Sequence, residues 1–286
     1  MRSIFRTIAF ALTLLATVSC NIDFIYLQVP GTSWSLEQGE TRAFVHFDSE
    51  RVTIVQRSNA TGGVQFTNGT YLTDGHRVKV TSDEGTSHQL VRTFTHLKSS
   101  TSNKNFSSLR PQSYETLDGT VWTTLRQDDL TLYYFEPGGK SRHWTFKNVR
   151  HEEGVPYGWD VGEETYSVTG SHVALESGGA TLFPEVMLMD DVWYMHYPAQ
   201  EDNGTSALRG TAWTYVTNSY PGILIFNTNS SFTRVLVSSR VLYQVTQGTY
   251  TVNGDSVTLN FSDKSETCTI SGNRFTFMEK TYELFQ

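Results

Sequence analysis

Three pairs of adjacent carboxylates are the first residues in this sequence that could carry acid–base chemistry: Asp128-Asp129, Glu163-Glu164 and Asp190-Asp191. Two carboxyl groups can act as acid and base when they face one substrate across a short gap. Adjacent residues of a strand point to opposite faces of a sheet, so adjacency alone does not build such a dyad. We interpret Asp190-Asp191, which precedes the run beginning at Val192, as a solvated hairpin turn, with a cation site as the alternative.

No other catalytic or metal-binding motif in the sequence is complete. The run His151-Glu152-Glu153-Gly154-Val155 begins like a zinc-protease motif but has no second histidine, and the eight histidines include no pair two residues apart. Neither a serine-nucleophile elbow nor a phosphate-binding glycine loop is present. The sequence therefore predicts no enzyme, no metal and no cofactor. A metal or hydrolase site assembled from different strands is the alternative.

A segment rich in aromatic residues offers a candidate ligand site. Residues 148–159 are expected to form a longer loop, and loops on rigid β scaffolds often carry binding residues. Flat aromatic rings beside carboxylates and arginine could stack on sugar rings. The alternative is that these rings fill a core or a contact between domains. The candidate ligand-binding residues are Trp144, Tyr157, Trp159 and Trp193.

Composition excludes several broad classes of protein. Aromatic residues make up 13% of the 286 residues, which excludes an intrinsically disordered chain. Two cysteines cannot build a disulfide scaffold. One of them, Cys268, lies in an alternating run, and we interpret it as a small buried residue of a strand. The formal net charge of −7 argues against a nucleic-acid-binding face.

The N-terminus has the pattern of an export signal. Two arginines precede an apolar run at 8–15, which is too short to remain as a membrane-spanning helix. The following Ala16-Thr17-Val18-Ser19-Cys20 resembles the lipobox of bacterial lipoproteins. That resemblance implies a signal peptide at 1–19, cleavage before Cys20 and lipid attachment to Cys20. The alternative is an ordinary secreted protein whose Cys20 is free or paired with Cys268.

An internal repeat is the strongest pattern in the chain. A Gly-Thr-any-Trp block occurs three times, and its tryptophans are 88 and 91 residues apart. A second block in each copy places Tyr and Val seven residues apart around a glycine-containing pair. The repeated residues are Trp34, Trp122 and Trp213 in the first block and Tyr71, Tyr166 and Tyr250 in the second. The two blocks predict three repeats at 31–112, 117–198 and 208–286.

Each repeat is expected to consist of short strands. Alternating runs separated by Gly, Asn, Asp and Ser fill the repeats, and no segment has helical periodicity. Asp74-Gly75 and Asn253-Gly254 predict type I′ hairpin turns. The repeated tryptophans are expected to plug the barrel ends as core residues. The predicted fold class is all-β, with three tandem small antiparallel β-barrel or meander domains.

The Gly and Trp of the first strand, followed by an antiparallel meander, resemble the start of a lipocalin. More narrowly, they resemble the small lipocalin-like β domains in lipoproteins of Bacteroidetes-type bacteria. The resemblance implies a lipoprotein of the cell envelope, in which 20–30 is a lipid-anchored tether. Asn21, by resemblance to other lipoproteins, favours the outer membrane and leaves the facing side open.

These observations lead to one functional expectation and one alternative. We expect a non-enzymatic, lipid-anchored envelope protein that presents three β domains as an interaction or binding module, with glycan binding through the middle repeat as one form of it. The expected partners are the membrane, through the N-terminal lipid, and a glycan or another envelope protein, without nucleic acid. The alternative is a carrier of a small apolar ligand inside one barrel.

Overall fold

The computed structural model describes residues 28–93, 95–102, 104–126, 129–147, 149, 158–199, 202–216, 221–237 and 242–284. Over these ranges the chain forms 24 strands and no helix. Consequently, no described segment is a helix long and apolar enough to cross a membrane. The predicted signal peptide, Cys20 and Tyr157 lie outside the described residues.

The strands follow one another in three groups of eight. The first group is β1 (Thr32–Gln38), β2 (Thr41–Phe47), β3 (Arg51–Ser58), β4 (Gly63–Asp74), β5 (Arg77–Ser82), β6 (Ser87–Arg92), β7 (His96–Ser99) and β8 (Asn105–Ser108). The second is β9 (Val121–Arg126), β10 (Asp129–Glu136), β11 (Lys140–Lys147), β12 (Gly158–Thr169), β13 (His172–Leu175), β14 (Gly178–Phe183), β15 (Val186–Met189) and β16 (Val192–Tyr197). The third is β17 (Ala212–Val216), β18 (Pro221–Phe226), β19 (Ser231–Val237), β20 (Leu242–Asn253), β21 (Ser256–Asn260), β22 (Ser265–Ser271), β23 (Arg274–Phe277) and β24 (Lys280–Leu284).

The second group closes into an eight-stranded barrel, which we call the middle barrel. Its strands pair in sequence order from β9 to β16, and β16 returns to pair with β9. At the closure Tyr197 lies opposite Val121 and Met195 lies opposite Thr123. Consecutive strands are antiparallel neighbours, and the closed sheet has no edge strand.

The other sixteen strands form one continuous sheet, in the order β19-β18-β17-β24-β23-β22-β21-β20-β4-β3-β2-β1-β8-β7-β6-β5. Two additional pairings, β4–β5 and β19–β20, turn each group of eight back on itself. The long strand β20 also pairs with the start of β4, where Tyr243 lies opposite Val64. The predicted all-β, antiparallel architecture is confirmed.

Two compact units divide the described residues. The first unit contains 28–38, 43–54 and 67–109, and the second contains 39–42, 55–66 and 110–284. In the first unit Val29 packs in the same apolar core as Trp34 and Phe47, so the tether expected at 20–30 contains a core residue at its end. The middle barrel lies wholly within the second unit.

The Thr and Trp of the first repeated block form one hydrogen-bonded unit. The Trp122 indole N–H donates to Thr120 Oγ1 at 3.0 Å, and this hydroxyl donates to the Leu117 carbonyl at 2.5 Å. The same two bonds recur around Trp34 and Trp213. All three indoles are buried, so the prediction that they are core residues is confirmed. The threonine is repeated because a buried indole N–H needs an acceptor.

The tyrosine of the second repeated block tethers distant parts of each repeat. The Tyr71 hydroxyl donates to the Asp48 carbonyl at 2.6 Å, in the turn between β2 and β3. Tyr250 donates in the same way to a carbonyl in the turn between β18 and β19, at 2.8 Å. Tyr166 instead donates to the carboxylate of Asp118. The two repeated blocks therefore serve the packing of the fold.

The hairpins predicted at Asp74-Gly75 and Asn253-Gly254 are present, but their turn type differs from the prediction. Strand pairing continues through Asp74, which lies opposite Arg77, so the two-residue loop begins at Gly75. Gly75 has a φ of +58°, and Gly254 in the equivalent loop has +62°. A type I′ turn needs positive φ at both loop residues, and the second loop residues, His76 and Asp255, do not have it, so these are type II′ turns and the type I′ prediction is wrong.

The hairpin turn predicted at Asp190-Asp191 is confirmed. Met189 lies opposite Val192, which leaves the two aspartates as the loop between β15 and β16. Their φ values are +50° and +59°. This loop has the two positive φ values of a type I′ turn, a conformation that aspartate tolerates better than most residues.

Replacing Thr120 with valine is expected to lower the free energy of unfolding by about 1–3 kcal/mol, because the Trp122 indole N–H would lose its acceptor while remaining buried. Urea denaturation followed by tryptophan fluorescence measures the change. Thr269→Val is the matched control, since Thr269 is exposed on β22. Equal losses in the two variants would contradict the structural role of the threonine hydroxyl.

Candidate functional site

The interior of the middle barrel combines an apolar cluster with polar side chains. The cluster includes Trp122, Phe135 and Leu182. Tyr133, two residues before Phe135, also belongs to it. Side chains alternate along a strand, so His143, which lies opposite Tyr133 in the register, also points inward.

The next strand adds a carboxylate to the same interior. Gly162 lies opposite His143 and Glu164 lies opposite Ser141, so these positions of β12 face inward with Tyr166. A β carbon at Gly162 would overlap the His143 imidazole. Glycine at this position therefore lets the ring lie across β12, beside Glu164.

Glu164 is 9% exposed and has one unsatisfied oxygen. Its Oε2 accepts the Ser177 backbone N–H at 2.9 Å. Within the described ranges its Oε1 has no hydrogen-bond partner, and neither has Nδ1 of His143, which stands 3.8 Å from that oxygen. Leaving a buried carboxylate oxygen without a donor is energetically unfavourable.

Two tyrosines border this carboxylate and histidine. The Tyr133 ring lies 5.0 Å from the His143 ring and 5.7 Å from the Tyr194 ring, between centroids. Burial, with a smaller contribution from Glu164, raises the pKa of Tyr133 to about 12. Burial also raises the pKa of Tyr194. Both phenols therefore stay neutral at physiological pH, and neither competes with Glu164 as a source of negative charge.

A cleft of about 160 Å³ reaches Glu164 from the rim of the middle barrel. Arg142 Nη2 lies 2.5 Å from a Glu163 oxygen and 3.7 Å from a Glu136 oxygen. Glu176 accepts the Thr165 hydroxyl at 2.7 Å, and this bond lowers the pKa of Glu176. The cleft is lined by Glu136, Lys140, Ser141, Arg142, Glu163, Glu164, Thr165 and Glu176.

This arrangement gives the cleft a polar, largely acidic lining that can accept hydrogen bonds from a ligand. Glu164 Oε1 itself is shut off from solvent, 3.8 Å from His143 Nδ1. Among the described side chains, no group of three or more His, Cys, Asp or Glu is placed to hold a metal ion.

The aromatic residues predicted to bind ligand lie on the outer face of the same barrel. Trp144 and Trp193 are buried there, and the Trp193 ring packs 5.4 Å from that of Phe183. Trp159 is 42% exposed, with Phe146 opposite it in the register. Ligand binding by these residues stays a prediction, and Trp159 has the most accessible ring of the three.

Sequence reasoning missed Glu164, although its signal was present. Adjacency of Glu163 and Glu164 by itself argues only against a dyad. The two do point apart, since the side chain of Glu163 is 64% exposed and that of Glu164 is 6% exposed. Alternation from the repeated Tyr166 would have placed Glu164 inward, two residues away.

Cys268 is a free, buried residue of β22, as predicted. Its Sγ lies 3.5 Å from the Val257 carbonyl oxygen. Burial raises its pKa to about 11. Cys268 is therefore an inert core thiol at neutral pH.

No protein-family model matches the chain, and no curated protein matches it. Among solved structures the chain is similar to the DNA polymerase III subunit β of Pseudomonas aeruginosa, with 7% identity, coverage of 90% of this chain and 93% of that chain, and a TM-score of 0.14. A Bartonella birtlesii DnaN sliding clamp bound to griselimycin matches with 6% identity, coverage of 91% of this chain and 92% of that chain, and a TM-score of 0.18. A Helicobacter pylori β clamp bound to a DNA ligase peptide matches with 8% identity, coverage of 93% of this chain and 98% of that chain, and a TM-score of 0.16.

These matches correct the expected set of partners. That set named a membrane, a glycan or another envelope protein and excluded nucleic acid, whereas the matched proteins are DNA polymerase sliding clamps, one of them with a DNA ligase peptide bound. The expected set is therefore withdrawn. TM-scores of 0.14 to 0.18 give no argument for what this chain binds in its place.

Proposed function

We propose that the chain is a non-enzymatic binding protein made of three small lipocalin-like β domains, and that its middle domain binds a small polar ligand. The observation that carries this proposal is a cleft of about 160 Å³ at the rim of the middle barrel, lined by charged and hydroxyl side chains that include the largely buried Glu164. The location at the cell envelope expected from the N-terminal pattern remains part of the proposal.

Comparison of the repeats supports a special role for the middle barrel. The residue two positions before the repeated tyrosine is Gly69 in the first repeat, Glu164 in the second and Gly248 in the third. In the third repeat Gly248 lies opposite Phe232, whose ring packs against it. The equivalent pair in the middle barrel is Glu164 and Ser141, which replaces a packed ring with a small hydroxyl and a carboxylate.

The polar lining of the cleft supports a polar ligand over an apolar one. A carrier of an apolar ligand would need an apolar cavity, whereas this cleft is lined by charged and hydroxyl side chains. At about 160 Å³ it is smaller than the pockets of roughly 300 Å³ or more that hold drug-sized molecules. Its chemistry and size favour a small polar molecule.

A screen of small polar molecules against the full-length protein, read by ligand-detected NMR, tests the proposal. We expect saturable binding, and we expect the double variant Ser141→Phe with Glu164→Gly to weaken it by at least about tenfold, the size of one ionic hydrogen bond. The double variant copies the pair already present in the third repeat, so it should stay folded. Absence of saturable binding, or equal binding by the folded double variant, would overturn the proposal.

A further inference from the structure

We propose that the first half of β12 pairs antiparallel with the same segment of a second copy of this chain. The pairing would join two middle barrels about a two-fold axis at Trp159. It goes beyond the proposed ligand binding and does not depend on what the cleft binds. Three observations carry it: the length of β12, the pairing of its counterparts in the other two repeats, and two exposed apolar side chains on the same segment.

The closed middle barrel has no edge strand, yet β12 runs well past the strand that follows it. It has twelve residues, whereas β13 has four. Among the described strands, Gly158–Thr165 pair with β11 alone, and pairing with β13 begins at Tyr166. One side of this half of β12 is therefore open to a further strand, in the way that the outer side of an edge strand is.

The counterparts of this segment in the first and third repeats pair with each other. Seven residues before the repeated tyrosine stand Val64 in the first repeat, Trp159 in the second and Tyr243 in the third. Val64 of β4 lies opposite Tyr243 of β20, and the two strands are antiparallel. The pairing thus joins the same position of two repeats, which is what a two-fold axis does to two identical strands.

The side chains of this segment are apolar in every repeat, but they are exposed only in the second. In the first and third repeats they are buried, and they are Val64, Phe66, Tyr243 and Val245. The Phe66 and Tyr243 rings stack at 5.9 Å across the pairing. In the second repeat Trp159 is 42% exposed and Val161 is 54% exposed. Self-pairing would place Trp159 of one copy beside Val161 of the other, as Tyr243 lies beside Phe66.

The charges of the segment are compatible with this register. Trp159 would face Trp159 of the second copy, and Asp160 would face Gly158. Each Asp160 is already paired within its own chain, with Lys147 Nζ at 2.5 Å. No carboxylate therefore lies directly opposite another, an arrangement that would destabilise the pairing. Tryptophan at the centre is also among the residues that contribute most to protein interfaces.

Sedimentation equilibrium of the full-length protein over a range of concentrations tests the proposal. We expect a reversible equilibrium between monomer and dimer. Trp159→Lys should weaken the dimer at least about tenfold, because two lysines would face each other in place of two indoles. Val252→Lys is the matched control, since Val252 is 45% exposed on β20 and lies outside the proposed interface. Circular dichroism checks that both variants are folded.

Mixing two charge variants tests the self-paired register. Trp159→Lys and Trp159→Glu should each dimerise weakly alone, and an equimolar mixture should recover the dimer because opposite charges then meet at the axis. Recovery in the mixture requires that position 159 of one copy faces position 159 of the other. A monomer at every concentration, an undiminished dimer in folded Trp159→Lys, or no recovery in the mixture would overturn the proposal.

Discussion

Truncating Trp122 to alanine is expected to lower the free energy of unfolding by about 3–5 kcal/mol, among the largest losses that one core substitution produces. Its indole is fully buried in the middle barrel, packs 4.6 Å from the His196 ring and donates to Thr120 Oγ1. The alanine variant would leave a cavity, because the closed barrel cannot collapse far around it. Urea or thermal denaturation measures the loss.

The same barrel contains a matched control. Trp159 is 42% exposed on β12, so Trp159→Ala is expected to change the free energy of unfolding by less than about 1 kcal/mol. A comparable loss in both variants would show that the repeated tryptophan has no special role in closing the core. The control also reports on one of the aromatic ligand candidates, since a lost binding activity in Trp159→Ala would support that prediction.

Stability should decrease by up to about 3 kcal/mol between pH 6.5 and pH 4 because of His196 alone. Burial, and then the positive charge of Arg57, lower the pKa of His196 from 6.5 to about 4. The unfolded chain binds a proton in this window and the folded chain does not, so the free energy of unfolding falls as the pH falls. Below about pH 4 both states are protonated, and the contribution becomes constant.

Comparison of the wild type with His196→Gln isolates this effect from the titration of carboxylates. The difference between their free energies of unfolding should be independent of pH above 6.5 and should shrink or reverse towards pH 4. The ring of His196 packs against Trp122 and Tyr114, and Arg57 donates to its backbone carbonyl at 3.5 Å. Parallel stability curves for the two proteins would contradict the buried, neutral histidine.

The repeated blocks could be read from the sequence because each residue acts within its own repeat. The Thr–Trp bond spans two residues and the hairpin turns span four, so their spacing along the chain reflects their geometry. Alternation along a strand predicts which side chains point inward. The turn type was wrong because it depends on where pairing stops, and the register carries the pairing through Asp74.

The candidate site was not predicted because its parts come from different strands. Tyr133, His143 and Glu164 lie on β10, β11 and β12, and their proximity follows from two registers of pairing. A one-residue slip in either register would turn one side chain out of the barrel. Sequence motifs join residues that are close in the chain, so they include Glu163 beside Glu164 and leave out His143.

The sequence by itself determined the all-β class, the threefold repetition, the buried tryptophans and the positions of the hairpins, because these depend on local spacing and on period-two alternation. Tertiary structure alone decided which strands are neighbours, how β16 closes onto β9, and that Glu164 meets His143 inside the middle barrel. The physical reason is that strand pairing joins residues far apart in the chain. An isolated inward carboxylate becomes part of a candidate binding site only when strand pairing places it at the cleft beside Ser141 and Arg142.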